Sequence, residues 1–302
     1  MSAAPAPPSS GTPPAEIEID VALARRLLAG QHPDLADLPI TLLATGWDNA
    51  MFRLGEHLAL RLPRRKIGAQ LIEHEQRWLP VLKDRLPLSV PAPVGIGVPQ
   101  DGYPWPWSIT PWLEGETADL AAPDADQGEV LGGFFKALHQ PAPEDAPRNP
   151  VRGVPLATRI AVFEGRRANL AGRSDLIDNR ILAIWADAVA APDDAAPTWI
   201  QGDPHPRNVL VHQGRIMAVI DWGDMAQGDR ASDLAAIWML LSERETRERA
   251  MAACGEVSPA TWRRARGWAV LYGAMLLDAG LADDPRMARI AERTFQRLVD
   301  GP

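Results

Sequence analysis

The chain has 302 residues, 46% hydrophobic and 23% charged, with a net charge of −8 and a single cysteine, Cys254. At ~150 residues per domain this length suggests two domains or one large one, and the composition is that of an ordinary globular protein. The same figures exclude a disordered chain, an intramolecular disulfide or Cys-based zinc cage, and a nucleic-acid surface, which needs a clustered basic face.

The longest near-continuous apolar run, Trp268 to Leu277, falls far short of the ~18 residues that span a bilayer. No basic segment followed by an apolar core opens the chain, so no secretory signal is expected. A soluble, cytoplasmic protein without a membrane partner is the expectation.

Residues 1–15 are Ala, Pro, Ser, Gly and Thr with almost no large apolar group, which reads as a disordered leader. From Ile17 to Leu28 apolar residues recur at helical spacing, and Gly30 and Pro33 stop the pattern. Three strand-like runs follow, Ile40–Leu43, Ala50–Leu54 and Leu58–Leu62, together an antiparallel meander. Ile67 to Leu82 reads as an amphipathic helix with Leu71, Trp78, Leu79 and Leu82 inward, and Pro80 is expected to kink or end it. Val94–Val98 and Trp105–Leu113 read as strands, the second suited to an edge or exit position because of Pro106 and Pro111.

Beyond this strand-rich lobe with one helix (16–113) the pattern becomes helical (114–302). Asp126–His139, 157–170, 175–190 and the run from Asp233 to Leu298 carry helical spacing, and Pro141–Pro155 is a Pro-rich loop. One strand pair, Thr198–Ile200 and Val209–Trp222, interrupts them. The layout is α+β and bilobal: a small β-rich N-lobe, a short hinge and a larger, mainly helical C-lobe.

The most informative segment is Gly202-Asp203-Pro204-His205-Pro206-Arg207-Asn208 with Ile220-Asp221-Trp222. A bare Asp-x4-Asn arises by chance about once in a chain this long, so the context carries the weight. The loop follows a strand and leads into Val209-Leu210-Val211; the chain turns at Gln213-Gly214 and returns through Met217 to Ile220, where a second Asp stands. Such a hairpin brings Asn208 and Asp221 to one end of the ribbon. An amide oxygen beside a carboxylate is a donor pair suited to magnesium, with phosphates and water completing the shell. Asp203, at the head of the loop, is placed to accept a proton from a substrate hydroxyl, as phosphoryl transfer requires.

These residues resemble the aminoglycoside phosphotransferase family, small-molecule relatives of the protein kinases that include macrolide phosphotransferases. Gly46-Trp47-Asp48-Asn49, Leu60-Arg61-Leu62-Pro63-Arg64, Trp112-Leu113-Glu114-Gly115 and Ala137-Leu138-His139 are similar to further blocks of the family, in order. The resemblance implies a protein-kinase-like fold with ATP or GTP between the lobes, magnesium, and a small-molecule hydroxyl as acceptor. It implies that Gly46 and Trp47 cover the phosphates, that Arg61 contacts them with Glu75 as its partner, and that the backbone near Pro111 and Leu113 binds the base. Two departures stand out: Gln201 precedes Gly202 where the family usually has His, and Arg61 stands where it usually has Lys.

Within that class an aminoglycoside or macrolide antibiotic is the leading acceptor. A metabolic alcohol (choline, homoserine, a sugar or a ketosamine) and a nucleotide-binding pseudokinase are the alternatives. A protein kinase is disfavoured because no activation segment bounded by D-F-G and A-P-E is present. Asp224 and Asp229, just past the hairpin, are candidates to line the substrate cleft, weighed against a plain structural role. His205 is expected to hold its loop by hydrogen bonds, and Asp233 to cap a helix or brace the loop.

Overall fold

A computed structural model of the protein describes residues 14–301. The expected leader falls outside the described residues except for Pro14 and Ala15. The chain divides into two units: residues up to Asp84 with Val90–Leu113, and Arg85–Ser89 with the chain from Glu114 on.

In the first unit, helix α1 (Val21–Gln31) begins later than apolar spacing suggests. The reason is Asp20, whose side chain accepts from Leu23 N at 2.7 Å and caps the helix there. Strands β1 (Ile40–Thr45), β2 (Asn49–Leu54) and β3 (Leu58–Pro63) form the expected meander, followed by α2 (Lys66–Leu82), β4 (Gly95–Gly97) and β5 (Trp107–Pro111). The sheet order is β1-β2-β3-β5-β4, and every pairing is antiparallel.

Strand β5 is internal, between β3 and β4, so of the edge and exit positions expected for its prolines the exit is the one found. Pro106 lies just before it and Pro111 is its last residue, so neither interrupts the ladder in mid-strand. Helix α2 runs through Pro80 to Leu82, because Pro80 lies in the last turn and breaks little of the helix. Its buried face is Ala69, Ile72, Glu75, Leu79 and Leu82, with Leu71 and Trp78 only half-buried.

Strand alternation then decides what each face of β3 meets. Leu60 and Leu62 join Leu27 and Leu28 of α1, Phe52 and Trp107 in the core. Arg61, between them, meets Glu75 of α2.

The second unit runs β6 (Glu116–Thr117), α3 (Gly128–Leu138), α4 (Ile160–Leu170), α5 (Asn179–Val189), β7 (Thr198–Ile200), β8 (Val209–His212), β9 (Arg215–Val219) and β10 (Ala226–Gly228). It closes with α6 (Ala231–Leu234), α7 (Ala236–Leu240), α8 (Arg244–Ala253), α9 (Pro259–Ala282) and α10 (Pro285–Val299). β8 and β9 form the hairpin expected about Gln213-Gly214, with β6 alongside β8; the difference from expectation is β7, which pairs with β10 and not with 209–222. Ser89 extends the hairpin by exchanging backbone hydrogen bonds with Met217 and Val219 at 3.1 and 3.0 Å, which ties Arg85–Ser89 to this unit.

Helix α9 carries the core. Ser258 caps it by accepting from Thr261 N at 3.0 Å, and Trp268, Leu271, Ala274 and Leu277 are buried along it. It packs on α4, α5, α6 and α10, as a helix apolar on most sides must. No helix among the described residues is long and apolar enough to cross a membrane.

Candidate active site

The first unit holds the Arg61–Glu75 pair, the turn Gly46–Asp48 and the segment Pro111–Leu113. Arg61 and Glu75 are 5% and 0% exposed. Both guanidinium NH groups engage the carboxylate, Nη2 donating to Oε1 at 3.1 Å and Nη1 closer still to Oε2. A bidentate pair of this kind fixes the plane of the guanidinium, and burying it is tolerable only because both partners are present.

The Gly46 turn between β1 and β2 is clasped from behind. Gly46 N donates to Asn49 O at 2.9 Å, Arg64 donates to Gly46 O at 2.6 Å, and Arg65 lies 3.5 Å from the Asp48 carboxylate. The Trp47 side chain is left 62% exposed at its tip. At the other end of the sheet Pro111 faces Leu58 across the ladder, and Trp112 N donates to His57 O at 2.7 Å. The half-buried Leu113 is the last residue of this unit.

The second unit holds the Asp203 loop and the Asp221 turn. The chain leaves β7 at Gln201, and Asp233 of α6, fully buried, accepts from Gln201 N at 2.7 Å and Gly202 N at 2.9 Å. His139 Nε2 stands 3.2 Å from the same carboxylate. Gly202 has φ +95°, and a Cβ there would fall 2.5 Å from Asp224 O, so only glycine fits. Asp233 thus braces the loop.

Gln201 uses both ends of its amide. Oε1 accepts from Asp203 N at 2.7 Å, while Nε2 donates to the carbonyls of Ile220, at 3.2 Å, and Asp221. One buried side chain ties the Asp203 turn to the Asp221 turn. Asn208 Nδ2 donates to Asp203 O at 2.9 Å, and His205 Nδ1 accepts from Arg207 N at 3.1 Å. The Asp203 carboxylate stays part-exposed, with Arg152 Nη2 at 3.0 Å from Oδ1 and His205 Nε2 at 3.6 Å from Oδ2.

Asp221 follows β9 with φ +57°, a left-handed backbone that a non-glycine residue adopts only where its surroundings enforce it. The residue is exposed, and its neighbour Trp222 is buried with Nε1 donating to Val219 O at 2.9 Å. As a test of fit for magnesium, Asn208 spends its amide nitrogen on Asp203 and keeps Oδ1 as a donor, and Asp221 offers a solvent-facing carboxylate. Two oxygen donors of this type suit an ion that takes the rest of its shell from phosphates and water.

Asp224 and Asp229 separate. Asp224 accepts from Asn149 Nδ2 at 2.7 Å and lies 3.5 Å from Arg152 Nε; burial pushes its carboxyl up, with Arg152 opposing. Asp229 is buried against Arg264, at 2.7 Å, and accepts from Ala231 N at 3.0 Å. For Asp229 the plain structural role weighed above holds rather than the cleft: it pairs with Arg264 of α9, and both residues are buried. Arg152, Asn149 and Tyr272, whose hydroxyl is 3.4 Å from Gly202 O, are site neighbours that sequence reasoning passed over. Arg152 and Asn149 sit in a Pro-rich loop and Tyr272 in a core helix, and none falls in a recognisable motif.

An antiparallel sheet backed by an ion-paired helix, followed by a helical unit that presents an Asp-x4-Asn loop beside a β-hairpin, is the architecture of the kinase-like phosphotransferases. The model of the phosphotransferase enzyme family matches residues 39–268, and the chain belongs to that family.

Solved structures share the fold. The GDP complex of a point mutant of aminoglycoside 2'-phosphotransferase IIIa superposes with a TM-score of 0.68 at 19% identity, covering 92% of this chain and 97% of that one. A GDP and kanamycin complex of APH(2'')-IIIa gives 0.67 at 20% identity, with 93% and 99% covered. The macrolide 2'-phosphotransferase of Brachybacterium faecium gives 0.58 at 21% identity, with 94% and 98% covered. No curated protein matches the chain at a significant level.

Proposed function

We propose that the protein moves the γ-phosphoryl group of ATP or GTP, with magnesium, to a hydroxyl of a small molecule, and that this acceptor is an aminoglycoside or macrolide antibiotic. The observation that carries the reading is the Asp203 loop. Its backbone is held by Gln201, Asn208 and, through Gly202, Asp233, while its carboxylate stays open to solvent on one side. That is the pre-organisation a base needs if it is to meet a hydroxyl at a fixed point. The acceptor class is supported by the aminoglycoside and macrolide phosphotransferases that share the fold.

In this reading the acceptor oxygen attacks the γ-phosphorus, the bond to the β-phosphate bridging oxygen breaks, and the hydroxyl proton passes to Asp203. Asn208 Oδ1 and the Asp221 carboxylate would hold the metal. Bound there, magnesium would neutralise phosphate oxygens during transfer. Arg61, its plane set by Glu75, contacts the phosphates; the Gly46–Trp47 turn covers them; the backbone at Pro111 and Leu113 bonds the base. Asp224 faces the acceptor.

The test is coupled nucleotide turnover against a panel of aminoglycosides, macrolides and metabolic alcohols, with the product's added phosphoryl group read by mass. Phosphorylation of an antibiotic supports the full reading, and phosphorylation of choline, homoserine, a sugar or a ketosamine alone would replace the acceptor. Nucleotide binding with no turnover at all would make the protein a pseudokinase.

A further inference from the structure

Beside Asp203 stands a cation that the phosphotransferase reading above does not use. Arg152 belongs to the Pro-rich loop, yet its side chain is 14% exposed. Nη2 lies 3.0 Å from Asp203 Oδ1 and Nε 3.5 Å from Asp224 Oδ2, and the guanidinium sits 5.0 Å from the centre of the Tyr272 ring. Burial pulls its pKa down, but Asp203, Tyr272 and Asp224 outweigh that and the net shift is upward. It is a cation throughout the working range.

The loop that delivers it is built rather than slack. Asn149 Oδ1 accepts from the backbone N–H groups of Val151 and Arg152 at 2.9 and 3.0 Å, and Asn149 Nδ2 donates to Asp224 Oδ1 at 2.7 Å. Gly153 follows with φ +61°, and a Cβ there would fall 2.5 Å from Ile200 Cδ1 and 3.0 Å from Gly228 Cα. Its carbonyl accepts from Asp229 N at 2.8 Å. The backbone that carries Arg152 is therefore held against β7 and β10, and the Asp203 loop follows directly from β7.

We infer that Arg152 is a positioning residue for phosphoryl transfer: it fixes Oδ1 of Asp203, so that Oδ2 is the oxygen that receives the acceptor's proton. The inference rests on the proposed role of Asp203 as base. A close ion pair to one oxygen, 3.0 Å from a largely buried guanidinium, holds that oxygen toward Arg152 and opposes rotation of the carboxylate about its last bond. The second contact, to Asp224, keeps the guanidinium itself from turning. An ion pair needed only for folding would be satisfied at Asp224 and would not reach out to a part-exposed carboxylate in the loop.

A double-mutant cycle separates positioning from structure. Arg152→Met and Arg152→Lys are made in the wild type and in Asp203→Asn. Each is assayed for phosphorylation of the acceptor and for nucleotide hydrolysis with water as acceptor, with thermal unfolding as a check on folding. In the wild type, Arg152→Met is expected to lower kcat by ~10²-fold, as a displaced reacting group does. Nucleotide KM should stay within about twofold, since binding is untouched. Arg152→Lys, which keeps the charge in a different shape, is expected to recover about tenfold of the loss.

In the Asp203→Asn background the same substitutions should change kcat little, because no base remains to be positioned. An equal fold-loss in both backgrounds, or wild-type kcat in Arg152→Met, would overturn the inference. If the wild type phosphorylates nothing on the panel, the acceptor reading fails, and the hydrolysis cycle still decides for or against Arg152. If Arg152→Met does not fold, Arg152→Lys alone carries the cycle.

Discussion

Arg61 on β3 and Glu75 on α2 face each other as a buried, bidentate ion pair, although fourteen positions separate them in the chain. Removing either partner strands a buried charge, which is strongly destabilising, by about 3–5 kcal/mol. Glu75→Ala is therefore expected to lower the unfolding free energy by that order, and Glu75→Gln by less because it keeps one hydrogen bond. Denaturant unfolding measures both. Arg61→Lys keeps the charge but loses the fork, so it should retain part of the turnover that Arg61→Ala loses, whereas the exposed Lys66→Ala should change little. A damaging Lys66→Ala beside a harmless Arg61→Ala would put the phosphate contact on the wrong residue.

Gln201 bridges two turns with one acceptor and one donor. Gln201→Met removes both links and is expected to lower turnover by ~10–10²-fold through misplacement of Asp203. It should also raise the magnesium concentration needed for half-maximal rate. Gln201→Glu should be the worse of the two, because it sets a carboxylate oxygen against the carbonyls of Ile220 and Asp221. A magnesium titration of the two variants decides it: Gln201→Glu at or above Gln201→Met would contradict the bridge.

Asn208 and Asp221, the proposed magnesium ligands, differ in what each would give the metal. Asp221→Ala removes the charge and is expected to abolish magnesium-dependent nucleotide binding, while Asn208→Ala removes a neutral donor and should be milder. Calorimetry of nucleotide binding with and without magnesium tests the order, and an asparagine change more damaging than the aspartate change would reverse the assignment.

Cys254 is buried, and burial pushes its thiol up to about 12. At pH 8 the folded protein holds almost no thiolate, so iodoacetamide should label it only when the chain is unfolded. The sign for stability follows from the same shift. The folded pKa lies above the unfolded one, so this term is fully present below the unfolded pKa of about 9 and is lost as pH rises toward the folded value. Labelling in native buffer as fast as in denaturant would contradict the burial.

Much of the fold is legible in the sequence because its signals are local. The meander of β1–β3 shows in alternation, and α2 in helical spacing; the structure brings Asp203, Asn208 and Asp221 onto neighbouring turns, as the hairpin pattern suggests. What the sequence hides is long-range. The partner of β7 is β10, a three-residue strand without a pattern of its own, and β6 is only two residues long. An acid on the buried face of α2 looks, in periodicity alone, like any surface glutamate. Arg152 lies in a loop whose composition says only that it is not a helix, and its place beside Asp203 depends on the Asn149 turn and the tight approach of Gly153 to Gly228. Asp229, a sequence candidate for the cleft, proves to be the partner of Arg264 because α9 crosses behind β10, which no local pattern encodes.

Proton transfer from the acceptor hydroxyl to Asp203 is decided by a single variant. Asp203→Asn keeps the size of the side chain and leaves the backbone bonds to Gln201 and Asn208 intact. Nucleotide affinity, measured by calorimetry with magnesium, should be nearly unchanged. Turnover of the acceptor that the wild type phosphorylates should fall by at least ~10²-fold, the scale of a lost general base. Turnover near that of the wild type in a fully metal-loaded Asp203→Asn enzyme would contradict the account.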